Sequence, residues 1–199
     1  MAVLNEEQTM LRDAAKSWVQ EKSPVTAFRK MRDSGVELGY DANAWNEMAE
    51  MGWAGVIIPE EYGGSDFGYL SMGLILEEMG RTLTASPLLA SGLAAASALV
   101  LGGSDAQKSE WLPKIAGGEV VGALAIDEGA HHAPEKVALK AEKSGSGYKL
   151  SGSKSFVLEG MAAGLLIVSA RTSGKPGDTD GITLFLVAGD AKGVSRKRL

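Results

Sequence analysis

The spacing of apolar residues changes once along the chain, at Gly117 and Gly118. Before these glycines, apolar residues recur at the period of an amphipathic helix. After them come short runs rich in Val, Leu and Ile, separated by Gly, Ser, Asp and Pro, which is typical of strands and turns. The pattern predicts an α+β protein with a helical domain over residues 1–118 and a β domain over residues 119–199.

Capping residues mark where helices begin in the first domain. Asn5 can cap the amides of Glu7 and Gln8, and residues 104–107, Ser-Asp-Ala-Gln, form a capping box. The predicted helices begin at Asn5 and at Asp41 and cover residues 69–83, 86–101 and 104–115. Because segment 86–101 is apolar on nearly every side, it is typical of a central helix in a bundle. We therefore expect the first domain to be an all-α helical bundle.

Six short apolar runs predict strands in the second domain. They cover residues 120–126, 136–143, 148–150, 155–158, 165–170 and 182–187. Residues 144–147, Ser-Gly-Ser-Gly, lie between the second and third runs and predict a hairpin connection. We expect a partial antiparallel, β-barrel-like sheet. Since open sheet edges invite association, we also expect a partner or a longer polypeptide to cover them.

Composition and charge exclude several classes of function. The formal net charge is −5 and the only basic run is residues 196–198, so nucleic acid is not an expected partner. There is no cysteine, and the two histidines, His131 and His132, are adjacent without metal-ligand spacing. The apolar stretch at residues 87–101 is too short to span a bilayer. The acidic start lacks a signal-peptide pattern, so we expect a cytoplasmic protein.

The sequence also lacks the motifs of several self-sufficient sites. No G-x-G-x-x-G follows a predicted strand, and neither a G-x-x-x-x-G-K-[ST] loop nor a G-x-S-x-G elbow occurs. A nicotinamide-binding Rossmann domain is therefore not expected, because its alternation of strands and helices is missing as well.

Longer strings of unusual residues follow one another in a fixed order. They are GWAGVIIPEEYGG at residues 52–64, EEMGR at 77–81, GSDAQK at 103–108, WLPKIAGGE at 111–119, GSKSFV at 152–157 and LLIVSART at 165–172. In this order they resemble the acyl-CoA dehydrogenase family over essentially the whole chain. The resemblance is strongest to the branch that includes pimeloyl-CoA dehydrogenase small subunits.

The resemblance implies an N-terminal helical domain, a middle β domain and a C-terminal four-helix bundle, the last absent from this chain. It also implies FAD, an acyl-CoA substrate that gains a 2,3 double bond, as in fatty acid β-oxidation, and an electron-transfer flavoprotein or similar acceptor. Relatives assemble as homo- or hetero-oligomers. The family's catalytic glutamate usually lies in the C-terminal bundle, so we assign no catalytic residue here and expect these 199 residues alone to be inactive.

The resemblance further implies that residues near the end of the first predicted strand and in the fourth bind the flavin. They are Ala125, Ile126, Asp127, Phe156 and Leu158. Two of these positions depart from the family pattern, because Ile126 and Leu158 stand where relatives carry hydroxyl side chains. Phe156 is equally plausible as a core aromatic, and Asp127 and Glu128 as solvated loop carboxylates.

The substrate-contacting residues implied by the resemblance are His132, Ala90 and Ala94. His132 would contact the CoA phosphate region, although an exposed loop residue is the simpler interpretation. Ala90 and Ala94 belong to a helix that lines the acyl tunnel in relatives, and close helix packing explains their small size equally well. Glu159 is an alternative base or, more simply, a turn carboxylate.

Three functions remain open at this point. The first is a flavin-dependent acyl-CoA dehydrogenase, and the second is a non-catalytic or half-site subunit that pairs with an active homologue. The third is a CoA-ester sensor or scaffold without redox activity. Oxidases and monooxygenases built on the same frame are also compatible with these residues.

Overall fold

The computed structural model describes residues 3–198. The chain divides into two compact units, of which the first ends at Val121 and the second begins at Gly122. The α-helices are α1 Glu6–Lys22, α2 Val25–Ser34, α3 Ala42–Glu50, α4 Gly68–Thr82, α5 Ala96–Gly102 and α6 Asp105–Ala116. Within the described residues, none of these helices is long and apolar enough to cross a membrane.

The cap predicted at Asn5 is confirmed for the Gln8 amide, where it forms a reciprocal capping box, and the capping box predicted at residues 104–107 is confirmed. In α1 the Gln8 amide donates to Asn5 Oδ1 at 2.7 Å, and the Asn5 amide donates to Gln8 Oε1 at 3.1 Å. In α6 the Gln107 amide donates to Ser104 Oγ at 3.4 Å, and the Ser104 amide donates to Gln107 Oε1 at 2.9 Å. Each box pairs amides that a helix start leaves without partners, which explains why both starts are visible in the sequence.

The helix α2 is absent from the sequence prediction, which contains no helix between Pro24 and Asp41. Pro24 precedes the first turn of α2, and its carbonyl accepts a hydrogen bond from the Ala27 amide at 2.7 Å. None of the residues in α2 is buried. Its half-buried residues Val25, Phe28 and Met31 recur at helical spacing, so the segment carries a helical pattern that the prediction did not use.

The apolar segment predicted as one helix over residues 86–101 is two elements. Leu88–Ala95 forms a π-helix, and α5 continues from it. A Cβ atom at Gly92 would lie 3.2 Å from the Ala54 carbonyl oxygen and 2.9 Å from a methyl of Leu88. The wide turn therefore packs closely on neighbouring main chain at a position where only glycine leaves room.

Three tryptophans organise the core of the first unit. Trp18 meets Trp53 edge to face, with ring centroids 5.5 Å apart, and its indole N–H donates to Glu47 Oε2 at 2.9 Å. The indole N–H of Trp45 donates to the Gly118 carbonyl at 3.0 Å. The indoles of Trp18 and Trp45 thus keep hydrogen-bond partners while their rings fill the core.

The segment between α3 and α4 folds back on itself through main-chain hydrogen bonds. The Ser65 amide donates to the Gly55 carbonyl at 3.1 Å, and the Phe67 amide donates to the Val56 carbonyl at 2.8 Å. Gly64 lies at the closest approach, where a Cβ atom would come within 2.0 Å of the Ile58 carbonyl oxygen. This close backbone contact therefore requires glycine at position 64 of the GWAGVIIPEEYGG string.

In the second unit, residues 122–198 form five strands in one sheet. They are β1 Gly122–Ala125, β2 Lys140–Ser144, β3 Gly147–Ser151, β4 Leu165–Arg171 and β5 Ile182–Ala188. The strand β4 pairs with β1 in parallel and with β5 in antiparallel orientation, and β2 and β3 form the expected hairpin. At its far end β4 also pairs in parallel with β2, through Arg171 and Lys140. The α+β class is confirmed, but the sheet is mixed rather than antiparallel.

The strand predicted over residues 155–158 is wrong, because this segment is a turn. Phe156 and Glu159 have φ angles of 54° and 55°, in the left-handed region that a strand does not use. The apolar side chains of Phe156 and Leu158 imitate the alternation of a strand, yet they are 62% and 61% exposed. Five strands remain of the six predicted, within the described residues.

The buried Arg171 joins the end of β4 to two loops. Its guanidinium donates to the main-chain carbonyls of Glu135, Val137, Ser173, Asp178 and Asp180, at 2.8 to 3.4 Å. A guanidinium carries five N–H groups in a rigid plane. One side chain therefore fixes the main chain on both sides of β4.

We predict that Gly64→Ala destabilises the first unit by about 1–3 kcal/mol, because the added methyl group overlaps the Ile58 main chain. The matched control is Gly73→Ala in α4, where a Cβ atom meets nothing within 4 Å; it is expected to stabilise by about 0.5–1 kcal/mol. Urea unfolding followed by tryptophan fluorescence measures both, since all four tryptophans precede residue 121. Equal unfolding midpoints for Gly64→Ala and the parent protein would contradict the prediction.

Candidate functional site

A buried lysine organises the end of β1. Lys154 Nζ donates to the Ile126 carbonyl at 2.8 Å, to Glu128 Oε1 at 2.7 Å and to Ser169 Oγ at 2.9 Å. Ser169 Oγ in turn donates to the same Ile126 carbonyl at 3.3 Å. The side chain of Lys154 is only 6% exposed. We call Lys154, Glu128, Ser169 and the Ile126 carbonyl the Lys154 cluster.

Glu128 is the counter-ion of this lysine. Its Oε1 also accepts the Leu139 amide at 3.0 Å, and its Oε2 accepts the Ala138 amide at 2.9 Å. Burial alone raises the pKa of Glu128, but the hydrogen bonds from Lys154 and the two amides outweigh it, so the pKa is lowered. The carboxylate is therefore ionised at neutral pH and ties the end of β1 to the start of β2.

Asp127 and His132 close the loop that follows β1. His132 Nδ1 lies 2.9 Å from Asp127 Oδ2, and the Ala133 amide donates to Asp127 Oδ1 at 3.1 Å. The hydrogen bond from His132, followed by that of the Ala133 amide, lowers the pKa of Asp127. The same bond to Asp127, strengthened by its negative charge, raises the pKa of His132. The His132 side chain is 71% exposed, so the pair lies at the surface.

The turn over residues 155–160 lies beside this strand end. The Ser155 amide donates to the Asp127 carbonyl at 2.7 Å, and the Gly160 amide donates to the Val157 carbonyl at 3.0 Å. This arrangement leaves the apolar side chains of Phe156 and Leu158 in solvent. Within the turn, burial raises the pKa of Glu159 although the charge of Arg198 lowers it.

The structure brings together most of the residues expected at the site. Those near the end of β1 are Ala125, Ile126, Asp127 and His132, and the adjoining turn supplies Phe156 and Leu158. Ala90 and Ala94 belong to the π-helix of the first unit, Ala90 buried and Ala94 partly buried. Within the described residues, no group of three His, Asp or Glu side chains is arranged to hold a metal ion.

Sequence reasoning missed the roles of Lys154 and Ser169. Both lie in strings that carry the resemblance, GSKSFV and LLIVSART, but nothing in the sequence pairs them. Two signals were available in the sequence. Lys154 follows Gly152 by two residues, and Ser169 lies inside an otherwise apolar strand. Their contact is a product of the sheet, because β4 places Ser169 beside the main chain that follows β1.

The geometry suits recognition of a flat ring with a polar edge. Phe156 offers an exposed aromatic face, and the main chain at residues 126–128 is held in place from behind by the Lys154 cluster. A flat ring bound here would stack on Phe156 and form hydrogen bonds with the main chain at the same time. A group of this kind would meet few side-chain donors, since Ile126 and Leu158 carry none.

Both units of the chain match known proteins. Residues 5–119 match the family model of the acyl-CoA dehydrogenase N-terminal domain, and residues 126–199 match that of the middle domain. A mitochondrial isovaleryl-CoA dehydrogenase of Pongo abelii is 36% identical over 98% of this chain and 47% of its own length. The chain therefore spans about half the length of the curated relatives it matches.

Solved structures show the same relationship. The ChsE4-ChsE5 complex from Mycobacterium tuberculosis matches with a TM-score of 0.85 and 27% identity, over 100% of this chain and 52% of its own. A structure described as an FAD-dependent dehydrogenase matches with a TM-score of 0.78 and 30% identity, over 98% of this chain and 50% of its own. The ordered strings, the helical unit and the mixed sheet thus have one explanation: the chain belongs to the acyl-CoA dehydrogenase family.

Proposed function

We propose that this chain is part of a flavin-dependent acyl-CoA dehydrogenase that introduces a 2,3 double bond into an acyl-CoA thioester. The observation that supports it best is the end of β1, where buried Lys154 holds the main chain at Ile126 beside the exposed ring of Phe156. The matching structure described as an FAD-dependent dehydrogenase supports the choice of FAD. Acyl-CoA is the proposed substrate and an electron-transfer flavoprotein, or a similar carrier, the proposed acceptor.

The residues present fit a flavin ring. The exposed ring of Phe156 offers a face for stacking, and the Asp127 amide is the main-chain group proposed for the ring edge, because the Ile126 and Asp127 carbonyls already accept hydrogen bonds. Leu158, which is also exposed, adds apolar surface beside the aromatic ring. Bound FAD would supply the acceptor for a hydride leaving the β carbon of the acyl group. In this proposal the residues of this chain bind and orient the flavin and the substrate, and we assign no catalytic base among them.

We assign residues 1–118 to the N-terminal domain and residues 119–199 to the middle domain. In this arrangement Ala90 and Ala94 contribute small side chains toward the acyl group. The cytoplasmic location remains a prediction, and several relatives carry names that place them in mitochondria.

A second candidate function is that of a half-site subunit in a heteromeric dehydrogenase. In its favour, Ile126 and Leu158 stand where the family resemblance implies hydroxyl side chains, which weakens the expected hold on a flavin ring. The match to the ChsE4-ChsE5 complex, whose description names two components, is compatible with such an assembly.

Expression from the complete reading frame separates the two candidates. We expect the purified protein to carry visible flavin absorbance and to reduce an electron acceptor when acyl-CoA is added. Flavin that is retained only after co-purification with a homologous subunit would favour the half-site function. Absence of flavin and of acyl-CoA-dependent reduction in both preparations would contradict both candidates.

Restoring a hydroxyl group at the strand end tests the flavin contact itself. We predict that Ile126→Thr lowers the Kd for FAD about fivefold, because one hydrogen bond contributes about 1 kcal/mol. The matched control is Ile126→Val, which has nearly the shape of Thr but no hydroxyl group. Titration of apoprotein with FAD measures both variants, and equal Kd values for Thr and Val would contradict the prediction.

We also propose that His132 contacts the CoA phosphate region through Nε2, since Nδ1 is held by Asp127. The pKa of His132 is raised, first by the hydrogen bond with Asp127 and further by the charges of Asp127 and Glu135. His132 is therefore charged below this raised pKa and loses its charge as pH rises through it. We predict that the KM for acyl-CoA rises over the same interval, because the attraction to phosphate disappears.

The variant His132→Asn should remove this pH dependence of KM, whereas His131→Asn, one residue earlier in the same loop, should retain it. Steady-state kinetics between pH 6 and about 9 measures both, since an unperturbed histidine titrates near pH 6.5. An unchanged profile in His132→Asn would contradict the proposed contact.

A further inference from the structure

We propose that Lys154 is a positioning residue that orients the main-chain amide of Asp127 toward the flavin ring edge; this inference rests on the function proposed above. It concerns a residue to which the sequence and the comparisons give no role. Four points support it. They are the direction of the lysine side chain, the use of all three of its N–H donors, the planarity of the neighbouring peptide bond, and the lack of side-chain hydroxyl groups at Ile126 and Leu158.

Lys154 reaches three separate parts of the second unit. Its three acceptors are the Ile126 carbonyl after β1, the Glu128 carboxylate in the following loop, and the Ser169 hydroxyl within β4. An ammonium group has three N–H donors, so all of them are used in this arrangement. The side chain is thereby fixed in one direction, and it can hold the main chain at Ile126 without rotating away.

The planarity of the peptide bond carries this restraint toward the site. The Ile126 carbonyl and the Asp127 amide belong to one trans peptide, so their C=O and N–H bonds point in opposite directions. Because the carbonyl points at buried Lys154 and Ser169, the Asp127 amide is directed to the opposite side of the chain. Lys154 thus determines where an amide donor points although it does not itself face a ligand.

The same lysine also locates the neighbouring aromatic turn. The Asp127 carbonyl accepts the amide of Ser155, the residue that follows Lys154 in the chain. The segment that follows β1 and the segment that contains Lys154 are therefore joined twice. One connection is made by the lysine side chain and the other by this main-chain hydrogen bond. As a result the main chain that carries Phe156 and the Asp127 amide are held close to each other.

This arrangement explains how the chain manages without hydroxyl groups at Ile126 and Leu158. A side-chain donor can adjust by rotating, whereas a main-chain donor points correctly only when its peptide plane is fixed. A site that depends on main-chain donors therefore depends more strongly on the group that fixes the plane. In this chain that group is the ammonium of Lys154, neutralised by Glu128.

The decisive variant is Lys154→Met, which keeps an unbranched side chain of similar length and removes all three donors. The matched control is Lys149→Met on β3, whose lysine is exposed. Each protein, expressed from the complete reading frame, is titrated with FAD and its bound-flavin absorption spectrum is recorded. We expect Lys154→Met to raise the Kd at least about tenfold and to shift the visible flavin band, since bonds from a charged donor are lost. Lys149→Met should change neither.

Two further variants separate positioning from general stability. Ser169→Ala removes one donor to the Ile126 carbonyl and one acceptor of Lys154 but keeps the Lys154–Glu128 ion pair, so it should shift the flavin band while lowering the melting temperature less than Lys154→Met does. Lys154→Arg keeps the charge but changes the direction of its donors, and it should restore stability more fully than it restores the spectrum. Should Lys154→Met fail to fold, Ser169→Ala alone decides.

The possible failures are distinguishable. The positioning role would be overturned if the parent protein binds flavin and Lys154→Met leaves the Kd and the spectrum unchanged. An unchanged spectrum in Ser169→Ala would overturn it as well. Either result would leave the proposed function standing. A parent protein that binds no flavin, alone or with a homologous subunit, would overturn the proposed function, and the positioning role with it.

Discussion

A buried ammonium group has to find acceptors, and this requirement shapes the second unit. An unpaired charge in a protein interior is very unfavourable, so the chain around Lys154 has to provide oxygen atoms from several directions. They come from the main chain after β1, from Glu128 and from Ser169 of β4. Because Glu128 also accepts two amides at the start of β2, one lysine connects three strands and the loop between them.

The central strand separates two kinds of interior. Ser169 and Arg171 are two residues apart on β4 and share one face. Ser169 belongs to the Lys154 cluster, and Arg171 contacts the carbonyls of two loops. Val168 and Ala170 belong to the other face and pack in an apolar cluster with Ala125 and neighbouring strands. The strand thus joins an apolar core to a polar network, and the proposed flavin contact lies where this network meets the end of β1.

Sequence reasoning succeeded at the helix caps and at the hairpin, where the residues that decide the structure are close together in the chain. The capping boxes at Asn5 and Ser104 depend on residues three positions apart, and the hairpin between β2 and β3 depends on a short glycine-rich connection. It failed over residues 155–158, where the apolar alternation of Phe156 and Leu158 was interpreted as a strand. It also missed α2, although Val25, Phe28 and Met31 recur there at helical spacing and are half-buried.

The sequence by itself determined that a helical domain precedes a β domain, the caps at Asn5 and Ser104, the β2–β3 hairpin and the family resemblance. These depend on local spacing and on motifs, both of which are present in the linear chain. The tertiary structure alone decided that β4 runs parallel to β1 and that Lys154, Glu128 and Ser169 meet at the Ile126 carbonyl. The physical reason is distance along the chain: Ser169 donates to a carbonyl 43 residues away, and no local pattern records a contact that strand pairing creates.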